Sequence, residues 1–138
     1  MSALVLDTNA VITIAQAAPG TRFAGIGAQD AVGVSVVTEA EVRLGVALAV
    51  GDPLKHAQRA AQLAWLVTRY RPLPVDAGVV AAFSSVAALS LASGREPKKD
   101  FRDLLIAATA VHHGAVLVTD DAGLARVASA LVRVRSLH

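Results

Sequence analysis

Acidic residues follow two apolar runs of this sequence at positions where a carboxylate can do chemistry. Asp7 comes directly after the run at residues 3–6, and Asp120 and Asp121 come directly after the run at residues 115–119. If both runs are parallel strands of one sheet, their carboxyl ends meet at the edge where open α/β sheets bind ligands. Each Asp also has an ordinary alternative role as the N-cap of the helix that follows. The pattern therefore predicts helix caps, a shared acidic site, or both.

A third acid comes from a helix predicted at residues 38–50, which contains Glu39 and Glu41. Two residues apart on an α-helix means about 200° apart, so only one of the two carboxylates can lie on the polar face. Glu39 precedes Arg43 by four residues, which is the favourable order for an exposed ion pair. Glu41 shares its side with Leu44 and is expected to point inwards, where an acid needs a partner or a metal ion. The alternative is that Glu41 reaches out of that face to solvent.

A fourth acid, Asp103, lies in the first turn of a helix predicted at residues 100–113, with Asp100 as its N-cap. A negative charge in the first turn interacts favourably with the helix dipole, which is sufficient reason for an Asp there. Asp103 also shares a face with Ala107 and Ala110, whose small side chains let the helix pack close to the sheet. Close packing would direct the Asp103 carboxylate towards the same edge of the sheet.

A divalent cation would relieve the repulsion within such a cluster. No basic residue stands out in the sequence as a partner, and unpaired acids in one pocket raise one another's pKa values. Oxygen ligands suit Mg²⁺ or Mn²⁺ better than Zn²⁺, which prefers nitrogen or sulfur. His112 and His113 are adjacent on a helix, so they diverge, and they precede Gly114 as helix C-terminal residues often do. The acids expected to converge are Asp7, Glu41, Asp103 and either Asp120 or Asp121.

Short apolar strands alternate with longer Ala- and Leu-rich helices along the rest of the chain. Strands that are apolar on successive residues and separated by helices indicate a parallel sheet covered on both faces. Strands are predicted at residues 3–6, 32–37, 115–119 and 131–134, with a weaker one at 72–75. Helices are predicted at residues 38–50, 54–70, 77–92, 100–113 and 122–130. Because no linker or internal repeat interrupts the 138 residues, we expect one domain spanning residues 1–138.

Composition excludes several classes of protein. The chain has no cysteine, so it has no disulfide framework or thiolate metal site, and we expect a cytoplasmic protein. No apolar run reaches the roughly 18 residues of a membrane span, and MSALVLD lacks the basic start of a signal peptide, so no membrane association is expected. The formal net charge of +2 does not by itself indicate nucleic-acid binding. Basic residues gather in GREPKKDFRD, which is either a solvated loop or a surface for a polyanion.

The segments that carry the acids resemble a known family. Their order and separation are similar to the four motifs of the PIN-domain ribonucleases and, at this chain length, of the VapC-type toxins of bacterial toxin–antitoxin pairs. The four segments are LVLDTNAVI, SVVTEAEVRLG, DLLIAATAVHHG and LVTDD. The resemblance implies a three-layer α/β/α sandwich on a mostly parallel, five-stranded sheet. It also implies endonucleolytic cleavage of RNA that depends on Mg²⁺ or Mn²⁺.

The resemblance also implies roles for individual residues. The last motif of the family usually reads Thr, any residue, then Asp or Asn, which matches Thr119 and Asp121 and leaves Asp120 as the variable residue. The implied catalytic acids are Asp7, Glu41, Asp103 and Asp121, of which Asp7, Asp103 and Asp121 would hold the metal ion. The implied supporting residues are Thr8, Asn9, Thr119 and Asp120. The candidates for binding the RNA backbone are Arg95, Lys98, Lys99 and Arg102.

Two protein partners are implied as well. Proteins of this kind are expected to form homodimers and to bind an antitoxin whose C-terminal segment runs along a hydrophobic groove towards the acids. The predicted helix at residues 54–70 could line such a groove, although packing in the core is the ordinary alternative. Its candidate residues are Leu63, Trp65, Leu66 and Val67.

Three other classes of protein fit part of the pattern. An aspartyl-phosphate phosphotransfer protein also places acids at strand ends, but it needs a second Asp two residues after the first, where Asn9 stands. A receiver-type module would need a Lys after a late strand, and no Lys follows Thr119. A catalytically inactive module that binds RNA or a partner protein would keep the fold without cleavage. Metal-dependent cleavage of RNA separates the enzyme from this last alternative.

Overall fold

The computed structural model describes all 138 residues, which form four strands and six helices. The strands are β1 (Ala3–Leu6), β2 (Ala31–Val34), β3 (Val116–Val118) and β4 (Val134–Arg135). The helices are α1 (Thr8–Gln16), α2 (Val36–Leu48), α3 (Pro53–Arg69), α4 (Ala77–Ala92), α5 (Phe101–His113) and α6 (Ala122–Ala128). None of the helices has both the length and the apolar character needed to cross a bilayer.

All four strands run parallel in one sheet, in the order β2-β1-β3-β4. In the centre, Leu6 of β1 pairs with Val34 of β2 on one side and with Val118 of β3 on the other. The chain moves outwards from β1 to β2 and later places β3 on the opposite side of β1, so the strand order reverses beside β1. Ligand sites of open parallel sheets lie at such a reversal, outside the carboxyl ends of the strands.

Helices cover both faces of the sheet and enclose two hydrophobic cores. On one face, Leu4 and Leu6 of β1 pack with side chains of α1, α2 and α3. On the other face, Val5 of β1 and Leu117 of β3 pack with side chains of α4, α5 and α6. Successive residues of a strand point to opposite faces, so burial on both faces explains why the strands are apolar throughout. The predicted three-layer α/β/α sandwich is confirmed.

The sheet has four strands instead of the expected five. The segment predicted as a weak strand at residues 72–75 makes only an isolated parallel bridge, between Leu73 and Ser35 beyond the end of β2. Because α2 begins at Val36, the residues that follow Leu73 have no extended partner with which to continue the ladder. The segment therefore lies beside β2 where a fifth strand would lie, but it is paired at one residue.

The boundary between β2 and α2 also differs from the prediction. The strand predicted at residues 32–37 ends at Val34, and the helix begins two residues before position 38. Ser35 causes the early start, because its side-chain hydroxyl accepts a hydrogen bond from the N–H of Val37 at 3.0 Å and so caps the helix. The β-branched valines on both sides of Ser35 suggested a continuous strand, and the cap overrides that preference.

The last strand is shifted from its predicted position at residues 131–134 to Val134–Arg135. A tight turn follows α6, in which the N–H groups of Leu131 and Val132 both donate to the carbonyl of Ala128. The chain is therefore still turning at the residues where the strand was expected. The other predicted helices agree with the structure to within one or two residues.

Candidate active site

A polar cavity of about 230 Å³ lies at the carboxyl ends of β1 and β3, with no hydrophobic residue in its lining. Five of its nine lining residues are acidic and two are basic, so the cavity has an excess of negative charge. The lining residues are Asp7, Thr8, Asn9, Glu41, Lys99, Asp100, Arg102, Asp103 and Asp121. The structure thus brings together at one place the four acids that the sequence predicts to converge there.

Asp7 ends β1 and caps α1, and its side chain is almost fully buried. One carboxylate oxygen accepts a hydrogen bond from the N–H of Ala10 at 2.8 Å, and the other accepts one from the hydroxyl of Thr119. Burial is the main cause that raises the pKa of Asp7, and the hydrogen bonds from Thr119 and Ala10 oppose it. The negative charges of Asp120 and Asp121 raise this pKa further. Asp7 is therefore a helix cap and a member of the acidic cluster at once.

Thr119 connects Asp7 to Asp121. Its buried hydroxyl donates to Asp7 and accepts a hydrogen bond from the N–H of Asp121 at 3.0 Å. Asp121 caps α6, because its Oδ1 accepts hydrogen bonds from the N–H groups of Gly123 and Leu124 at 2.9 and 3.0 Å. Its Oδ2 makes no hydrogen bond within the protein. The cap uses one oxygen of Asp121 and leaves the other available at the cavity.

Asp120 is directed away from the cavity and ties down the end of the chain. Its Oδ1 accepts hydrogen bonds from the Ser136 hydroxyl and from the Leu137 N–H, the latter at 2.8 Å, while its Oδ2 lies 2.7 Å from Nδ1 of His138. The hydrogen bond from Ser136 is the main cause that lowers the pKa of Asp120. The sequence left the choice between Asp120 and Asp121 open, and Asp121 is the one that lines the cavity.

Glu41 enters the cavity from α2 and has two partners. The Thr8 hydroxyl donates to its Oε1 at 2.7 Å, and the same hydroxyl lies 3.1 Å from that of Thr38. Its Oε2 lies 3.8 Å from Nη1 of Arg102 on α5. The expectation that the acids have no basic partner is therefore wrong. Arg102 and Glu41 lie on separate helices, and only the packing of α2 beside α5 brings them together.

Glu39 forms the predicted surface ion pair, with 3.0 Å between its Oε2 and Nε of Arg43. The side chains of Glu39 and Glu41 are nevertheless equally exposed, at 21% and 20%. Their exposure does not distinguish them. The apolar face from which the inward direction of Glu41 was predicted is itself open, since Leu44 is 46% exposed. The two glutamates differ instead in what they face, because Glu41 lines the cavity and Glu39 does not.

Asp103 lies in the first turn of α5 and makes no hydrogen bond within the protein. Burial is the main cause that raises its pKa, followed by the negative charges of Glu41, Asp121 and Asp7, in that order. Ala107, on the same face of α5, is fully buried, as the close approach of α5 to the sheet requires. Asp103 is thus an unpaired carboxylate held among other carboxylates, an arrangement that a bound cation would stabilise.

The donor set of the cavity fits a hard divalent cation. Asp7, Asp103 and Asp121 offer carboxylate oxygens only, which suit Mg²⁺ or Mn²⁺. No three acidic or histidine side chains are close enough together to hold an ion between them directly. Mg²⁺ is commonly bound by one or two carboxylates and keeps several of its waters, and the cavity has room for such waters. His112 lies elsewhere, 3.8 Å from Asp76 at the start of α4.

The four basic residues expected to bind RNA occupy different environments. Lys99 and Arg102 line the cavity, and Lys98 is exposed without an ion pair. Arg95 differs from the other three, because its Nε donates to Oδ2 of Asp100 at 3.0 Å and its side chain is only 24% exposed. Its guanidinium is therefore engaged within the protein.

Asp100 also lines the cavity, although only a role as a helix cap was predicted for it. It stands at the N-cap position of α5, but its side chain makes no capping hydrogen bond. The spacing in the sequence could have identified Asp100 as a cavity residue. Asp100 precedes Asp103 by three residues, and residues three apart are neighbours on one helix face.

Comparison with known proteins places this site in a family. Residues 4–130 match the family described as PIN domain. The chain belongs to the PIN-domain family. The resemblance found in the four acidic segments is thereby confirmed. Ribonuclease VapC4 of Mycobacterium tuberculosis (strain ATCC 25618 / H37Rv) is 42% identical to this PIN domain over 90 residues, which are 64% of this chain and 65% of that relative's length.

Two solved structures share the fold along nearly their whole length. A member of the VapBC family of toxin-antitoxin systems, VapBC-5 from Mycobacterium tuberculosis, is similar with a TM-score of 0.76 and 29% identity, over 100% of this chain and 99% of that one. FitAcB from Neisseria gonorrhoeae is similar with a TM-score of 0.69 and 27% identity, over 95% of each chain. The arrangement of strands and helices in this PIN domain is therefore shared with VapBC-5 and FitAcB.

Proposed function

We propose that this PIN domain is a metal-dependent endoribonuclease and the toxin of a toxin–antitoxin pair. The observation that carries the proposal is the cavity that gathers Asp7, Glu41, Asp103 and Asp121 in a lining without hydrophobic residues. Similarity to Ribonuclease VapC4 supports RNA as the substrate, and similarity to VapBC-5 supports the toxin–antitoxin assignment. We expect the enzyme to act in the cytoplasm.

Asp7 and Asp121 would hold one or two Mg²⁺ or Mn²⁺ ions directly, and Asp103 would hold them through bound water, since no three acids are close enough to share an ion. When bound, such an ion orients a water molecule, lowers its pKa and neutralises the charge that develops on the phosphate. The hydrogen bonds from Ala10 and Thr119 hold the Asp7 carboxylate in a fixed orientation before any ion arrives. A ligand fixed in this way loses little conformational freedom on binding.

The proton of the attacking water would be taken by Glu41 or by Asp103. The hydroxyl of Thr8 holds one oxygen of Glu41, so the carboxylate is fixed in the cavity and can orient a water. Asp103 could take this role where it meets the ion only through water, because burial and its acidic neighbours raise its pKa in the metal-free cavity. Both carboxylates line the cavity, so either could reach a water bound there.

The RNA backbone would bind to Lys98, Lys99 and Arg102. Arg102 and Lys99 line the cavity next to the acids, where a phosphate must approach an otherwise negative site. Arg102 is 59% exposed and 3.8 Å from Glu41, so its guanidinium can turn towards a phosphate. Only 4% of the residues are aromatic, so recognition is expected to depend on RNA shape and unpaired loops more than on base stacking.

An antitoxin and a second copy of the chain are the proposed protein partners. Of the residues expected to line a groove, Leu66 is buried in the core and Leu63 packs against it. Trp65 also packs against this core, but it borders a groove between α1 and α3, and Val67 is 43% exposed. Trp65 and Val67 thus remain available to a partner, while the other two follow the alternative of core packing. Gel filtration with and without the antitoxin tests both partners.

Mapping of cleavage products tests the proposed function directly. The purified protein is incubated with a mixed RNA pool, with Mn²⁺ and with EDTA, and the new RNA ends are mapped. We expect discrete cuts that require the metal and that Asp7→Asn abolishes. Binding of RNA without any cut would support the alternative of an inactive binding module.

A further inference from the structure

Arg95, in the loop between α4 and α5, is wedged between two segments that carry cavity residues. Its Nε donates to Oδ2 of Asp100 at 3.0 Å, immediately before α5 begins. On the other side, its guanidinium lies against the backbone of Gly123 at the start of α6. A Cβ placed on Gly123 would lie 2.0 Å from Nη1 of Arg95 and 3.1 Å from its Cζ. Arg95 thus touches both the helix that carries Asp103 and the turn that follows Asp121.

The backbone holds Arg95 in this position. Gly94 has φ +78°, which reverses the chain at the end of α4, and the N–H of Arg95 then donates to the carbonyl of Ser90 at 3.1 Å. Gly123 is required for a different reason, since a side chain there would take the place of the guanidinium. The N–H of Gly123 donates to Oδ1 of Asp121 at 2.9 Å, so a shift of Gly123 would move Asp121 as well.

Asp100 gives an independent indication that this contact matters. Five of the six helices have an N-cap side chain that accepts a hydrogen bond from the first turn; these caps are Asp7, Ser35, Asp52, Asp76 and Asp121. Asp100 is the exception, and its carboxylate pairs with Arg95 instead. Giving up a cap destabilises the first turn of a helix. The bridge to Arg95 takes the place of that interaction.

We propose that Arg95 is a positioning residue, which fixes Asp103 and Asp121 relative to each other by bridging Asp100 and Gly123. The inference rests on the proposed function, because it matters for catalysis only if those two acids hold the metal ion. It replaces the sequence-based expectation that Arg95 binds the RNA backbone. The two roles differ in what they change, since a positioning residue alters kcat and a phosphate contact alters KM and its salt dependence.

The test compares Arg95→Met, Gly123→Ala and the double variant with the wild type, on a defined RNA with Mn²⁺. We expect each single variant to lower kcat about tenfold with KM changed less than about twofold, because small displacements of catalytic groups are costly. The kcat of the double variant should be no lower than that of the less active single variant, because the methyl group added at Gly123 then meets no guanidinium. Arg95→Lys, which can still pair with Asp100, should recover part of kcat. Lys98→Met, the matched control on an exposed lysine, should raise KM instead.

Two results would overturn the inference: a rise in KM with a weaker salt dependence for Arg95→Met, or independent, multiplying losses in the double variant. Melting temperatures of the four metal-free proteins provide a second readout that needs no activity. The double variant should lower the melting temperature by less than the sum of the decreases in the two single variants. Additive decreases would contradict an interaction between Arg95 and Gly123. A wild type that does not cleave RNA would refute the proposed function, while the melting temperatures would still decide whether the bridge exists.

Discussion

Replacing Asp103 with Asn is the sharpest test of the acidic cavity that needs no knowledge of the RNA target. Asp103 makes no hydrogen bond, and Asn has nearly the same shape as Asp. The change to Asn therefore removes a negative charge and breaks no contact. Its pKa is raised by burial and by the charges of Glu41, Asp121 and Asp7. We therefore predict that, without metal, Asp103→Asn is more stable than the wild type.

The size of the effect follows from Coulomb repulsion. At an effective dielectric constant near 20, two unit charges about 6 Å apart repel by on the order of 2–3 kcal/mol. Asp103 is only partly buried, so solvent screening and the nearby charge of Arg102 reduce this considerably. A net gain of about 1 kcal/mol in the free energy of unfolding remains, which corresponds to about 3–5 °C in melting temperature for a domain of this size.

The pH dependence has a definite sign. Because the folded-state pKa of Asp103 is raised, the folded protein binds more protons than the unfolded chain between the ordinary value of 3.8 and that raised pKa. Stability of the wild type therefore falls as pH rises through this window. The advantage of Asp103→Asn should be complete above the window and should vanish below about pH 4, where the carboxyl is protonated in both states.

Thermal melts with EDTA and with Mg²⁺ measure this cycle for the wild type and for Asp103→Asn. An ion that binds only the folded protein stabilises it by about 1.4 kcal/mol at ten times its Kd, and the variant lacks one ligand. Mg²⁺ should thus raise the melting temperature of the wild type more than that of the variant. Glu39→Gln is the matched control, since it removes an acid outside the cavity and should leave the Mg²⁺ effect intact. A less stable Asp103→Asn in EDTA, or equal Mg²⁺ shifts in both proteins, would refute the reasoning.

Three further predictions concern catalysis and RNA binding. Asp7→Asn should lower the cleavage rate by at least about 10², as expected for loss of a metal ligand, and cleavage that survives EDTA would contradict this. Glu41→Gln should abolish cleavage while Glu39→Gln changes stability by only a few tenths of a kcal/mol, measured by kinetics and melts; equal catalytic loss would show that the two carboxylates are not distinguished. Reversing the charges of Lys98 and Lys99 should weaken RNA binding and flatten its salt dependence in a filter-binding titration, and an unchanged slope would remove them from the interface.

The convergence of the acids was predictable because it follows from local periodicity. Asp7 comes directly after β1 and Asp121 comes three residues after the end of β3, and parallel strands place such residues at one edge of the sheet. The helical repeat separated Glu41 from Glu39, although Leu44, which was expected to mark the inner face, is 46% exposed, and Asp103 was assigned by the small residues below it. None of these steps required knowledge of how the helices pack against one another.

The partners of the charged residues were not predictable in the same way. Arg102 approaches Glu41, and Arg95 lies against Gly123, only because separate helices pack side by side. A sequence shows that basic residues gather near Asp103, but it does not show which of them are neutralised within the protein. Arg95 and Lys98 are three residues apart in the sequence, yet one is ion-paired and the other is free in solvent.

An aspartate can cap a helix and belong to the acidic cavity at the same time. In the sequence these two roles looked like alternatives. An N-cap needs one carboxylate oxygen, and in Asp121 that oxygen is Oδ1, which leaves Oδ2 without a partner. In Asp7 the cap uses Oδ1 and the hydroxyl of Thr119 bonds to Oδ2, so both oxygens are oriented. Asn caps a helix about as well as Asp, so in Asp121, whose Oδ2 has no partner, substitution by Asn keeps the cap and removes only the charge. In Asp7 the amide NH2 of Asn would also replace the oxygen that accepts the hydrogen bond from Thr119. The Asn variant of Asp121 therefore reports on the acidic cluster rather than on the helix, and charge and metal dependence, not helix stability, decide what this aspartate does.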